Sequence, residues 1–199
     1  MEFKDRYVLD ASIRRDGSSL FGPGHRWATF NRIAGVWIVN REPFWKVGFM
    51  DELRLRASRG TAGATPRFDA QYETFSVGTT GISTGRAGNE GLAPETTTEY
   101  EFGTDFTLFR KLGFEVTYAV GDTKDQILLV NVPANVGYSS QWQNAGTMRN
   151  NTIELGITVP VVNSKNFYWQ TRATWDRTRT YIVELSVPVF LYDGGAFQG

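Results

Sequence analysis

"TEYEFGTDFTLF", residues 98–109, sorts its side chains by parity. In an extended chain, successive side chains point to opposite faces. Tyr100, Phe102, Phe106 and Leu108 therefore share one face, and Glu99, Glu101 and Asp105 share the other. A strand of this kind asks for an apolar medium on one side and water on the other.

The same period of two recurs along most of the chain, and it predicts an all-β protein. A first strand near 6–15 sets Tyr7, Leu9, Ala11 and Ile13 on one face. A second, near 27–39, groups Ile33, Trp37 and Val39, with Val36 and Ile38 blurring the pattern. A third, near 52–59, opposes Leu53, Leu55 and Ala57 to Arg54, Arg56 and Ser58. The quoted stretch is the fourth, from about Thr97. A fifth, near 113–120, sets Phe114, Val116, Tyr118 and Val120 against Glu115 and Thr117. A sixth, near 151–160, sets Ile153, Leu155, Ile157 and Val159 against Thr152, Glu154 and Thr158. A seventh, near 167–176, sets Phe167, Trp169, Ala173 and Trp175 against Gln170, Arg172 and Thr174.

The connections alternate in length. Short turns are expected at Phe109–Leu112 and at 162–166, with a longer link at 40–51 holding one helical turn started at Pro43. Long loops are expected at 16–26, Gly60–Thr96 and Thr123–Asn150. In an up-and-down meander every second connection falls at the same end, so short turns gather at one rim and long loops at the other. Outer-membrane barrels sort their loops this way. Aromatics near strand ends (Tyr7, Trp27, Phe109, Phe114, Phe167, Trp169, Trp175) fit interfacial girdles. A soluble β-sandwich also places aromatics on alternate positions but has no reason to sort its loops, so it stands as the alternative.

Composition removes other classes. Lys+Arg and Asp+Glu both number 21, which offers no basic stripe for nucleic acid. There is no cysteine, and the single histidine, His25, lies in a Gly/Pro loop, so no metal site is expected. No run approaches the 18 or more apolar residues of a spanning helix; Ile127–Val130 is among the longest. The start, "MEFKDRYVLD", carries no visible secretion signal, and the final "YDGGAFQG" reads as a chain cut in a loop. A membrane role must therefore come through strands.

Several stretches resemble successive barrel segments of the SusC/RagA branch of TonB-dependent outer-membrane transporters. They are "DRYVLDASIRRDGSSLFG" (5–22), "RWATFNRIAGVWIVNREPF" (26–44), "LRLRASRGTAG" (53–63), "ETTTEYEFGTDFTLF" (95–109), "TKDQILLVNVP" (123–133) and "GYSSQWQNAGTMRNNTIELGI" (137–157). "TRTYIVELSVPVFLYDGG" (178–195) is less similar. The resemblance implies an open, curved antiparallel meander, residues 1–199 forming part of a large transmembrane β-barrel domain, without its plug, energy-coupling box or closing strand. It implies partners too: outer-membrane lipid, the rest of the transporter including the plug, a TonB-type energy coupler, a SusD-like surface lipoprotein and a glycan or peptide substrate. The expected role is outer-membrane uptake of oligosaccharides, with no enzymatic activity and no cofactor. The runner-up is a soluble all-β carbohydrate-binding module.

Glu99 and Glu101 stand about 7 Å apart on one face, a separation comparable to glycosidase carboxyl pairs. Arg54 and Arg56, expected on the same face, would pair with them and keep both ionised, the wrong state for a general acid. No catalytic residue is assigned. Arg14, Arg54, Arg56, Glu99, Glu101, Asp105 and Glu115, with Asp10 and Arg172, are instead expected to face a wet lumen, because an Arg at mid-depth in lipid costs about 2–4 kcal/mol. Ligand contact is expected on the loops, through Tyr72, Phe75, Tyr138 and Trp142. The glycine-rich 76–91 lacks the GKS/T ending of a phosphate loop, and Asn150-Asn151-Thr152 matches a glycosylation acceptor by chance.

Overall fold

The computed structural model describes residues 1–20 and 24–188. Its strands are β1 (Glu2–Phe3), β2 (Tyr7–Gly17), β3 (Trp27–Ile38), β4 (Met50–Ala64), β5 (Phe75–Gly78), β6 (Gly81–Thr84), β7 (Arg86–Ala87), β8 (Glu95–Leu108), β9 (Leu112–Asn131), β10 (Ser140–Asn163) and β11 (Tyr168–Leu185). The seven long strands coincide with the seven alternating segments. One nine-stranded sheet has the order β1-β2-β3-β4-β8-β9-β10-β11, with β7 attached to β10, while β5 and β6 form a separate hairpin. Every pairing along the main path is antiparallel. The sheet is thus an open up-and-down meander with edges at β1 and β11.

One row of paired residues runs Tyr7–Trp37–Leu55–Thr104–Val116–Leu155–Trp175 across the sheet. Tyr7 opens β2, whereas Trp175 lies well inside β11. The strands are therefore staggered against the line of turns, which is the geometry a closed barrel requires.

The row also displays one face. Its neighbours on that face include Leu9, Ile33, Phe102, Tyr118 and Ile153, all exposed; Phe102 is 57% and Leu155 42% accessible. Among the described residues no second layer covers them, and so large an apolar surface is rare against water. The buried apolar residues Ala70, Ala87, Leu92, Val130 and Ala145 instead cluster at the loop end. The opposite face is charged. Val36 and Ile38, which break the alternation in β3, lie on it opposite Arg56 and Arg54.

The turn end is tightly tied. Leu108 pairs with Leu112 across a three-residue connection in which Phe109 and Arg110 both have positive φ (53° and 57°). Neither is glycine, and Asp51 holds the turn by accepting from the Arg110 N–H at 2.6 Å. Between β3 and β4 the helical turn is a 3-10 turn at Val39–Arg41, ahead of Pro43 rather than started by it. There the buried Glu42 accepts from Tyr7 Oη at 2.5 Å, Trp37 Nε1 at 3.0 Å and Arg6 Nη1 at 2.9 Å.

The loop end corrects two expectations. Residues 123–150 are mostly strand, because β9 continues to Asn131 and β10 begins at Ser140. These strands, 20 and 24 residues long, far exceed the roughly 9–11 needed to span a bilayer. Where both faces meet water the alternation disappears, which is why the sequence conceals their upper halves. The 60–96 loop shortens to 65–94 and carries its own structure. His25 is an exposed loop residue. Phe21–Pro23 of the 16–26 loop and the terminal 192–199 stretch lie outside the described residues.

Candidate functional site

Two regions carry polar or aromatic groups in number: the charged face and the loop platform. Strand register places Arg14, Arg54, Arg56, Glu99, Glu101, Asp105 and Glu115 together on the charged face. Arg56 is its hub. Its Nη2 donates to Asp105 Oδ1 at 3.0 Å and Thr117 Oγ1 at 3.3 Å, and Nη1 reaches Glu101 Oε1 at 3.5 Å. Gly103 makes room for it, since a Cβ there would stand 2.8 Å from Nη2. Arg54 turns back to Glu52 at 2.5 Å, and Arg172 meets Glu115 at 2.6 Å. Arg14 pairs with Asp16, and Arg32 with Asp10.

Of the expected cross-strand pairs, Arg56–Glu101 forms and an Arg54 pair with either glutamate does not. Glu99 stands opposite Gly60 and Gly121, without an ion pair among the described residues. These pairs are half-exposed and each contributes about 0.2–1 kcal/mol. Together they neutralise the charged face. A shallow groove lined by Arg54, Arg56, Asp105, Glu115 and Arg172 runs along it. Among the described residues no group of three His, Asp or Glu is placed to hold a metal.

The loop platform is built from 65–94 folded onto the projecting ends of β9 and β10. A 3-10 turn (Phe68–Gln71) leads into the β5–β6 hairpin, and β7 adds a parallel strand to β10 at Ser140–Gln141. Side chain-to-backbone bonds fasten it. Asn144 Nδ2 donates to Ala93 O and Asp125 O, and Asn144 Oδ1 accepts from Ala93 N. Asn89 Nδ2 donates to Trp142 O, Gln141 Nε2 to Gly88 O and Thr84 Oγ1 to Gly137 O. Leu92, fully buried, anchors the small core beneath. Burial is the largest single influence on the Asp69 carboxyl and pushes it up, but the hydrogen bond from Arg67 and the charges of Arg67 and Arg86 outweigh it and hold the group low.

Tyr72 and Phe75 are more than half exposed on this platform. Tyr138 lies in the connection after β9, half-buried, its hydroxyl held up by the Glu73 carboxylate beside it and by burial. Trp142 is not a loop residue: it lies in β10 opposite Leu129, and its buried Nε1 has no hydrogen-bond partner among the described residues. Phe68 was not anticipated. It is 70% exposed and tilts against Tyr72 with ring centroids 5.7 Å apart. Two aromatics four residues apart were the signal, lost because the stretch reads as loop. Such a surface can present ring faces and hydrogen-bonding groups to a ligand.

Residues 1–196 match the family described as TonB dependent receptor-like, beta-barrel. The chain is 32% identical over 193 residues to TonB-dependent receptor P39 of Formosa agariphila, covering 93% of this chain and 19% of that protein. It is 30% identical to TonB-dependent receptor SusC of Bacteroides thetaiotaomicron, covering 86% of this chain and 19% of SusC. In three dimensions it is similar to a chain of the RagAB peptide importer, with a TM-score of 0.82 at 27% identity, covering 96% of this chain and 22% of that one. The chain thus spans about a fifth of the length of the curated relatives it matches.

Proposed function

This chain belongs to the TonB-dependent receptor β-barrel family, on its SusC/RagA side, and from that premise we propose that it is a stretch of wall in an outer-membrane transporter for energy-coupled uptake of oligosaccharides or similarly large nutrients. The observation that carries the reading is the two-faced sheet. One face is apolar, exposed and uncovered; the other is an ion-paired lattice centred on Arg56. Only hydrocarbon on one side and water or a plug on the other suits both faces at once.

In that role Arg14, Arg54, Arg56, Glu99, Glu101, Asp105 and Glu115 line the wet interior, and the loop platform faces the cell exterior. Tyr72, Phe75 and Tyr138, with Phe68, offer rings against which sugar faces can stack. Trp142 lies within β10, and its main-chain oxygen accepts from Asn89 of the platform. The remaining partners are the rest of the barrel with its plug, a TonB-type energy coupler and a SusD-like surface lipoprotein. A soluble carbohydrate-binding module has no support here, because it would need a second layer over Phe102 and Leu155.

The test is deletion of the full-length gene in its native bacterium, with growth measured on a panel of oligosaccharides, their monosaccharides and peptides. The expected result is lost growth on at least one oligosaccharide with monosaccharide growth intact. A Tyr72→Ala/Phe75→Ala transporter, present at normal level in the outer membrane, should slow that uptake. Undiminished growth on every oligosaccharide would overturn the substrate class, and an unaffected double variant would remove the aromatic platform from ligand contact.

A further inference from the structure

Lysine is sorted to the turn end of the wall. Of the chain's five lysines, four stand one to a connection along this rim. Lys4 follows β1, Lys46 lies in the β3–β4 link, Lys111 closes the β8–β9 turn and Lys165 sits between β10 and β11. The fifth, Lys124, lies in the loop-side half of β9. All four rim lysines are exposed, and among the described residues none has a carboxylate within ion-pair distance. Sheet order makes the β3–β4 link and the β8–β9 turn neighbours, flanked by the β1–β2 turn on one side and the β10–β11 turn on the other. Lys46 and Lys111 are therefore bounded along the rim by this chain itself.

The acids of this central stretch are engaged by arginines. Glu42 pairs with Arg6, Asp51 with Arg110 and Glu52 with Arg54. The remaining arginine, Arg41, donates to the main-chain oxygen of Asp5. Rings stand beside the two lysines. Phe44 and Phe49 flank Lys46 in the link, and Phe109 precedes Lys111 by two residues; all three are more than half exposed. The Phe109 N–H donates to Phe49 O at 2.9 Å, and the two rings lie 6.2 Å apart, so the connections are joined. Just above them on the apolar face, Phe106 and Phe114 stack at 4.9 Å. The apolar band continues from that pair through Leu108 and Leu112 to the rings, and the lysines stand where it ends.

We propose that Lys46 and Lys111 bind the phosphate groups of phospholipid headgroups in the leaflet on the turn side. The proposal rests on the reading that the apolar face meets lipid. Rings at the boundary of an apolar band sit at headgroup depth. A lysine beside them lays its apolar stem along the band and keeps its ammonium in the polar layer, where phosphate oxygens lie. There the ammonium meets phosphate as a point charge, the nearby acids being held by arginines. Lys165 extends the row toward β11, whereas Glu2 and Asp5 offset Lys4 at the other end. The two kinds of cation thus divide the work: arginines tie the turns, and lysines are left for the membrane.

The test places the full-length transporter in vesicles of equal parts phosphatidylglycerol and uncharged diglucosyl diacylglycerol, with photoreactive benzoylphenylalanine in place of Phe109. Light joins whichever lipid stands at the rim, and mass spectrometry of the joined peptide gives the ratio of the two. Phosphatidylglycerol should be enriched about 25-fold, at about fivefold for each lysine. Lys46→Gln/Lys111→Gln should bring the ratio close to one, while Lys124→Gln, at the loop end, leaves it unchanged. A ratio close to one without the substitutions, an unaffected double variant, or an equal loss in Lys124→Gln would overturn the proposal. So would loss of the enrichment on adding equimolar inorganic phosphate, which would mark a site for the free anion. Benzoylphenylalanine in place of Phe102 distinguishes failure of the rim from failure of the wall. With lipid joined at 102 but no phosphate preference at 109, the rim fails and the wall stands; with no lipid joined at 102, the wall itself fails.

Discussion

Phe102→Arg would place a guanidinium at the middle of the apolar face. Phe102 lies roughly halfway along β8, between the turn at Phe109 and Thr98 toward the loop end, with Ala57 and Tyr118 as its paired neighbours. It is 57% exposed to whatever medium surrounds the sheet. If that medium is hydrocarbon, an arginine at mid-depth costs about 2–4 kcal/mol, or about 30- to 700-fold in the folding equilibrium. Tyr100→Arg, one outward position nearer the loops and beside Arg59, should cost about 0–1 kcal/mol because it lies near the interface. Glu101→Gln, between them but on the other face, forfeits a half-exposed pair worth about 0.2–1 kcal/mol. The assay is urea-titrated folding of the full-length transporter into vesicles, read by resistance to heat in denaturing gels. The order should be Phe102→Arg worst, then the other two close together. Equal losses at 102 and 100, or the largest loss at 101, would refute the assignment of faces.

At the turn end, the Tyr7 hydroxyl, the Trp37 indole N–H and Arg6 hold the Glu42 carboxyl below its ordinary range against the opposing effect of burial. A depressed carboxyl stabilises the fold above its unfolded value near 4.3 and loses that contribution as pH falls through the lower folded value. The thermal midpoint of wild type should therefore drop faster below about pH 4.3 than that of Glu42→Gln; parallel curves would remove Glu42 from the account. Gly63→Ala should destabilise the protein by about 1–3 kcal/mol, because its Cβ would stand 2.4 Å from the ring of the buried Phe30 and 3.0 Å from Glu95 O; an unchanged thermal midpoint would show that the ring yields freely. Asn144→Ala removes two hydrogen bonds to the loop platform and one to β9, and should cost about 1–3 kcal/mol locally. Protease should then cut 65–94 faster while the barrel strands stay intact, and equal cutting rates would count against the anchoring role.

What could be read in advance was whatever the two media write into the chain. Phe102 and Glu101 announce their faces because apolar and charged side chains alternate strictly there. Gln141, Gln143 and Asn144 announce nothing, since both sides of β10 are polar there, and so a strand passes for a loop. Trp142 was misplaced for the same reason. Arg56 was expected to meet Glu101, but its stronger partner, Asp105, depended on the gap over Gly103, which no period of two reveals. Phe68 escaped because a single helical turn in a loop leaves too short a pattern. The stagger between strands also lay beyond reach, since it is set by turn conformations such as that of Phe109 and Arg110.

The fastening of residues 65–94 has an implication for how such proteins diversify. Thr84, Asn89, Gln141 and Asn144 all grip main-chain atoms, which every sequence supplies alike. The outward rings of Phe68, Tyr72 and Phe75 take no part in that grip. Substitution at those rings can thus remake the exposed surface while the bracket beneath keeps its shape, much as a picture frame is indifferent to the canvas.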